Sequence, residues 1–251
     1  MIFSPLEQFQ IYPLISLQLG TLDFSFTNSS LIIGIGIFCF LFCLDIILSP
    51  TKEIYFIPKS WQLLIESIYL ALVSMLMDNV GEKGQKFFPF IFTLFLFILI
   101  SNLIGLVPYS FTVTSHFIVT FALALMIFIG VNIICINNHG INLLSLFLPG
   151  GTSLALAFIL VPIEIVSYIF KPLSLSVRLF ANMMAGHILL KVIGGFGWTM
   201  MTSGGIFFIA HFIPLILIVV LFGLELAVGI IQTYVFTLLT CIYLNDAINL
   251  H

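Results

Sequence analysis

The chain has 251 residues, of which 61% are hydrophobic and only 7% are Asp, Glu, Lys or Arg. Soluble domains carry about 25% charged residues, so this composition excludes an ordinary water-soluble protein and indicates an integral membrane protein. The formal net charge is −3 and the sequence contains no basic run, which argues against nucleic acid as a partner.

The first apolar stretch, residues 30–48, is long enough to cross the roughly 30 Å hydrocarbon core of a bilayer. A more polar region follows, and within it residues 60–79 form an apolar piece that carries Glu66 and the interfacial-type Trp61. We expect this piece to be a helix lying along the membrane surface, with a true spanning helix as the alternative.

Residues 87–107 and 117–136 form a pair of spans whose short connection predicts an antiparallel hairpin. Two longer apolar stretches follow, 152–193 and 204–246, separated by a Gly-rich segment. A 40-residue helix is about 60 Å long, roughly twice the hydrocarbon thickness. Each long stretch therefore either breaks into two spans or lies strongly tilted, and we favour two long tilted helices. The predicted fold is all-α, with one membrane domain over residues 1–251.

Basic residues predict the orientation of the chain in the membrane. Four of the seven basic side chains lie between the first and second spans, namely Lys52, Lys59, Lys83 and Lys86. Lys and Arg in short loops favour the cytoplasmic side or its organellar equivalent. We therefore expect the N-terminus on the opposite side and, after five crossings, the C-terminus on the Lys-rich side.

Ionisable and amide side chains are concentrated in the last two apolar stretches. They are Glu164, Lys171, Arg178, Asn182, His187, Lys191, His211, Glu225, Gln232 and Asp246. Such groups are costly within a bilayer and indicate function. Because Arg178 stays charged at any biological pH, it must face a wet cavity or a partner's carboxylate, unless an internal ion pair holds it.

Helical spacing groups these side chains. Glu164, Lys171, Arg178 and Asn182 share one stripe, and Glu225 and Gln232 share another, because residues 4, 7 or 14 apart align. His187 falls nearly opposite Arg178 and should point toward a helix such as the one bearing Glu225. Histidines and buried carboxylates are plausible proton carriers. A satisfied buried imidazole is the alternative for His187, and His116 lies at a loop end where it could line an entrance.

The sequence LSLSVRLFANMMAGH (173–187), followed by LELAVGIIQTYVFTLLTCIYLNDAI (224–248), resembles the signature of the ATP synthase F0 subunit a family. SNLIGLVPYSFTVTSHF (101–117) and SPLEQFQI (4–11) resemble the same family. The resemblance implies a stator beside a rotating c-subunit ring, with Arg178 facing the ring carboxylates and Asn182 and Gln232 as its polar neighbours. It implies no ATP site, cofactor or metal in this chain, and no metal-spaced cluster is found in the sequence.

The resemblance also implies a path for protons. His187 and Glu225 occupy exchanged positions relative to the common enteric bacterium, as in mitochondria, and would line the half-channel on the intermembrane-space side, with His116 and Asn102 nearby. Glu164 and Asp246 would line the exit to the matrix. Other F0 membrane and peripheral-stalk subunits, the lipid bilayer and protons are the expected partners. The expected location is the mitochondrial inner membrane, or else a bacterial plasma membrane.

Two other classes of protein remain open. A secondary transporter would also place charges at mid-membrane, but the paired broken helices typical of its two halves are not found as an internal repeat. A structural anchor would tolerate loss of Arg178 and would not need Glu225 aligned with Gln232.

Overall fold

The protein is built mainly of helices. The computed structural model describes residues 5–19, 22–48, 60–107, 110–140 and 154–249. The helices are Asn28–Leu48 (α1), Ser60–Val80 (α2), Phe88–Gly105 (α3), Phe117–His139 (α4), Leu154–Ser203 (α5), Ile206–Ala210 (α6) and Phe212–Ile248 (α7). Short 3-10 helices cover Pro5–Phe9, Glu82–Phe87 and Val113–Ser115. The expected all-α membrane class is confirmed.

Four short strands precede α1, and the sequence analysis did not predict them. They are Pro13–Ile15 (β1), Gln18–Leu19 (β2), Leu22–Asp23 (β3) and Phe26–Thr27 (β4). β1 pairs antiparallel with β4, and β2 with β3. Asn28 ties this segment to the start of α1, because its Nδ2 donates to the Gln10 carbonyl at 3.1 Å and its Oδ1 accepts from the Tyr12 amide at 3.2 Å. Strands of two or three residues are too short for a period-2 pattern to show.

Within the described residues, five helical stretches are long and apolar enough to cross a membrane. They are Leu63–Val80, Glu82–Gly105, Phe117–His139, Phe158–Ser203 and Phe208–Ile248. The first of these lies in α2, so this helix meets the length and composition of a span. Its position along the membrane surface stays a prediction. The stretch 30–48, expected as the first span, falls within α1.

α5 and α7 are the long helices expected at the C-terminal end. They contain 50 and 37 residues, which gives helices about 75 Å and about 55 Å long. Both lengths exceed the thickness of a bilayer core. Pro172 lies inside α5 and does not end it. The strong tilt of the two helices stays a prediction.

α5 ends later than expected. Instead of stopping at residue 193, the helix continues through the Gly-rich segment to Ser203. The hydroxyl groups of Thr199, Thr202 and Ser203 donate to backbone carbonyls of the preceding turn, so these groups are satisfied within the helix. The helix ends only where Gly204 and Gly205 adopt φ of 68° and 62°, a left-handed conformation that glycine permits.

The chain forms two compact units. Unit 1 comprises Met1–Leu41, Phe97–Val119 and Arg178–Thr233. Its buried core includes Ile98, Asn102, Leu179, Met183 and Thr233. Unit 2 comprises Phe42–Leu96, Thr120–Val177 and Tyr234–His251. Its buried core includes Leu72, Leu76, Ile91, Phe236 and Leu244.

Candidate functional site

His187 and Glu225 form a buried pair in unit 1. His187 is on α5 and Glu225 on α7, and His187 Nε2 lies 3.5 Å from Glu225 Oε1. Only 16% of the His187 side chain and 4% of the Glu225 side chain are exposed. The expectation that His187 points toward the helix bearing Glu225 is therefore confirmed. An imidazole and a carboxylate this close can exchange a proton after a small movement or through one water molecule.

Gly186 makes room for the Glu225 carboxylate. A Cβ atom at position 186 would lie 2.7 Å from Glu225 Oε1 and 2.9 Å from the carboxyl carbon, which is far inside van der Waals contact. The sequence analysis missed this role. The only local signal is a glycine directly before His187 in a continuous helix, and that signal does not say which side chain needs the space.

The pair opens on a cavity of about 1110 Å³ within unit 1. Its polar lining residues besides the pair are Glu7, Gln8, Gln10, Tyr12, Asn28, Ser110 and Lys191. Among the residues the structure describes, His187 Nε2, both Glu225 carboxylate oxygens and Gln8 Nε2 are buried without a hydrogen-bond partner. Orphaned buried polar atoms are rare and costly, and several around one cavity indicate a functional site. The contribution of the N-terminal segment to the cavity was not predicted.

Asn102 joins α3 to α7 on the turns that follow Glu225. The side chain is fully buried, and its Nδ2 donates to the Gly229 carbonyl and to Thr233 Oγ1, both at 3.2 Å. Gly229 is one turn of α7 beyond Glu225. Asn102 therefore links α3 to α7 one to two turns beyond the acid, and its place beside the half-channel stays a prediction.

His116 stacks on a residue of the cavity wall. Its ring stacks on Phe111, with 4.9 Å between the ring centroids and 24° between the planes. Phe111 lines the cavity, whereas His116 is not among the described lining residues. Burial lowers the pKa of His116 below its ordinary value of 6.5. The role of His116 as a channel residue stays a prediction.

Arg178, Asn182 and Gln232 also belong to unit 1. Arg178 is exposed, and Asn182 and Gln232 are half-buried. No carboxylate among the described residues lies within ion-pair distance of Arg178. Within the described residues the internal ion pair is therefore not observed.

Asp246 and Glu164 lie in unit 2 and have different surroundings. Asp246 Oδ2 accepts a hydrogen bond from Lys171 Nζ at 3.1 Å, whereas Glu164 is exposed on α5. Lys171 also lies over the rings of Tyr168 and Tyr243. The sequence analysis placed Lys171 on the polar stripe of α5 but did not predict its pairing with Asp246.

Known proteins are similar to this chain over almost its whole length. The family described as ATP synthase A chain matches residues 29–245. ATP synthase subunit a of Pylaiella littoralis is 58% identical over 248 residues, covering 99% of each chain. The Chondrus crispus protein of the same name is 54% identical over 250 residues, covering 100% of this chain and 98% of its own. ATP synthase subunit a of Paramagnetospirillum magneticum is 47% identical over 251 residues, covering 99% of each chain.

These relatives and the long apolar helices are consistent with an inner-membrane location. Similarity to ATP synthase subunit a implies that the chain associates with a c-subunit ring and with other subunits of the complex. Since the family match covers most of the residues, including Arg178, His187 and Glu225, the chain belongs to the ATP synthase A chain family, the proton-translocating stator subunit of F0.

Proposed function

We propose that this chain forms two offset half-channels against the c-ring, so that protons cross the membrane only by riding on the ring carboxylates. Proton flow then turns the ring. The proposed setting is the mitochondrial inner membrane, with peripheral-stalk and other F0 subunits as neighbours. The single observation that carries the proposal is the buried His187–Glu225 pair at a cavity that several polar side chains help to line.

The intake half-channel is the cavity that ends at this pair. Polar side chains of the N-terminal segment and Lys191 can hold water along its wall. Histidine changes its charge near neutral pH, which suits it to receive protons from water and pass them on. Glu225, buried on α7 beside the imidazole, is the group placed to relay them toward the ring.

Arg178 is proposed to act at the ring surface. Its guanidinium stays protonated and exposed, so it can attract a deprotonated ring carboxylate without giving up a proton itself. A fixed positive charge at this position would also block protons from passing directly between the half-channels. Each charge driven through 100 mV is worth about 2.3 kcal/mol, and this is the energy that the ring converts to rotation.

The exit half-channel is proposed to include Glu164 and Asp246. Both are carboxylates in unit 2, on α5 and α7. An ionised carboxylate near the membrane surface can take a proton from the ring and release it to water.

ATP-driven proton pumping in membrane vesicles tests the proposal. Arg178→Ala and Glu225→Gln should each abolish or strongly reduce pumping while the amount of assembled complex stays equal to that of the unmodified protein. Lys86→Ala and Glu66→Gln are the matched controls, because both residues are exposed and outside the proposed path. Normal pumping by Arg178→Ala would overturn its role at the ring and favour a structural anchor.

A further inference from the structure

Lys171 and Asp246 form an ion pair that is open to its surroundings. Lys171 Nζ lies 3.1 Å from Asp246 Oδ2, and 29% and 36% of the two side chains are exposed. Ion pairs that are only half-buried add little stability, since holding a long lysine side chain in one geometry costs entropy. Stability alone therefore gives a weak reason for this contact.

Two tyrosine rings hold the lysine in place. Lys171 Nζ lies 5.2 Å from the ring centroid of Tyr168 and 5.0 Å from that of Tyr243, within the range of cation–π attraction. Tyr168 and Lys171 are three residues apart on α5, and Tyr243 and Asp246 are three apart on α7. Each helix thus presents one ring and one charge on the same face, and the ammonium lies where they meet.

A third helix fixes Tyr168. Its hydroxyl donates to Asn132 Oδ1 on α4 at 2.5 Å, and Asn132 Nδ2 donates in turn to the Phe128 carbonyl at 2.9 Å. The Phe128 ring lies 5.1 Å from the Tyr168 ring. The position of the lysine is therefore determined from α4, α5 and α7 together.

A small cavity adjoins the ion pair. Its volume of about 20 Å³ is sufficient for one water molecule. The lining residues are Phe128, Val131, Cys135, Tyr168, Lys171, Tyr243, Asp246 and Ala247. Four of them carry side-chain N or O atoms, so a water molecule here would have polar partners, among them the Asp246 carboxylate.

Asp246 is at an unfavourable position for an acid. It lies in the last turn of α7, where the helix dipole disfavours a negative charge. The ammonium of Lys171 offsets that repulsion. A carboxylate held in such a place by a restrained cation indicates that the charge itself is used.

We propose that Lys171 is a positioning residue that holds the Asp246 carboxylate at this cavity, where Asp246 releases protons to water. The inference deepens the proposed function and rests on it. When protonated Asp246 gives its proton to water, a hydronium ion leaves and the carboxylate that remains pairs again with Lys171. The lysine keeps its charge throughout, while Tyr168 and Tyr243 keep it within reach.

ATP-driven pumping by three variants of the assembled complex tests the inference. Lys171→Met keeps the length of the side chain but removes the charge, so pumping should fall roughly tenfold or more, because misplacing a reacting group lowers the rate steeply. Lys171→Arg keeps a cation and should retain most of the activity. The double variant Lys171→Met/Asp246→Asn removes both charges, so it should assemble well and still fail to pump.

The double variant separates a role of the pair in proton release from a purely structural one, and the comparison of Lys171→Met with Lys171→Arg tests the cation itself. If the ion pair only holds helices together, neutralising both partners should restore pumping as well as assembly, and that result would overturn the inference even if Lys171→Met alone does not assemble. Normal pumping by Lys171→Met would overturn it too. Arg178→Ala is measured in parallel. Loss of pumping there with normal Lys171→Met rejects only the present inference, whereas normal pumping by Arg178→Ala rejects the proposed function itself.

Discussion

The Glu225 carboxylate occupies the space that a side chain at position 186 would need, so a single glycine determines where the acid can lie. Gly186→Ala should displace the carboxylate from His187, lower proton pumping, and cost about 1–3 kcal/mol of stability, as overpacking usually does. Pumping assays and the melting temperature of the complex check this. Gly195→Ala is the matched control on the same helix, because a Cβ there meets nothing within 4 Å.

A second change should relieve the defect. Aspartate is one methylene shorter than glutamate, so Glu225→Asp combined with Gly186→Ala should recover part of the lost stability. If the double variant is no more stable than Gly186→Ala alone, the contact with the carboxylate is not the cause.

His116 should make stability depend on pH. Its folded-state pKa is lowered by burial, so the unfolded chain binds more protons than the folded one once the pH falls below the ordinary value of 6.5. Stability should therefore be unaffected by this group above that pH and decrease as the pH falls through it toward the lower folded pKa. Thermal melting between pH 5 and 8 measures the effect, and His116→Phe should reduce the slope. An unchanged slope would show that the pKa of His116 is the same in the folded and the unfolded chain.

The sequence predicts functional residues well where a charged side chain interrupts an apolar stretch. Arg178, His187 and Glu225 stand out because a bilayer makes them expensive, and helical spacing was enough to turn His187 toward the helix of Glu225. Gly186 and the pairing of Lys171 with Asp246 depend on which helices touch and at what height. Such contacts between residues 39 or 75 positions apart are invisible to local periodicity.

At the scale of the helices, the side-chain amide of Asn102 links α3 to α7. Asn102→Ala should remove two hydrogen bonds, to the Gly229 carbonyl and to Thr233 Oγ1, and destabilise the complex by roughly 1–3 kcal/mol. Thermal melting of the purified complex checks this, with the exposed Asn137→Ala as control. Equal melting temperatures for the two variants would show that Asn102 does not fix these helices.

The lengths of the apolar stretches predict that helices form, but they do not predict where the helices end. Residues 194–203 looked like a linker because glycine is a poor helix former in water. In a membrane protein the same residues continue α5, since an apolar medium makes an unpaired backbone group more costly than an unfavourable residue. The strands before α1 were not predicted for a different reason. They depend on side chains such as Asn28, which forms hydrogen bonds to residues 16 and 18 positions away.

At the scale of the whole molecule, the proposed proton path needs another subunit to complete it. In the proposed function, the acid that pairs with Arg178 comes from the ring, since no described carboxylate lies within ion-pair distance of this arginine. Liposomes containing this chain alone should therefore conduct few protons under an applied potential, whereas liposomes with the complete F0 sector should conduct many. Equal conductance would favour a self-contained transporter.

The exposed guanidinium of Arg178 also bears on biosynthesis. A newly made copy must hold this charge in the bilayer before any rotor is beside it, at a cost of roughly 2.5–3.5 kcal/mol on insertion scales. In the proposed function, pairing of Arg178 with a ring carboxylate removes this cost, so we expect assembly with the ring to stabilise each new copy. Copies that never meet a ring should be short-lived, and their lifetime in a pulse-chase experiment should lengthen when Arg178 is replaced by a neutral residue.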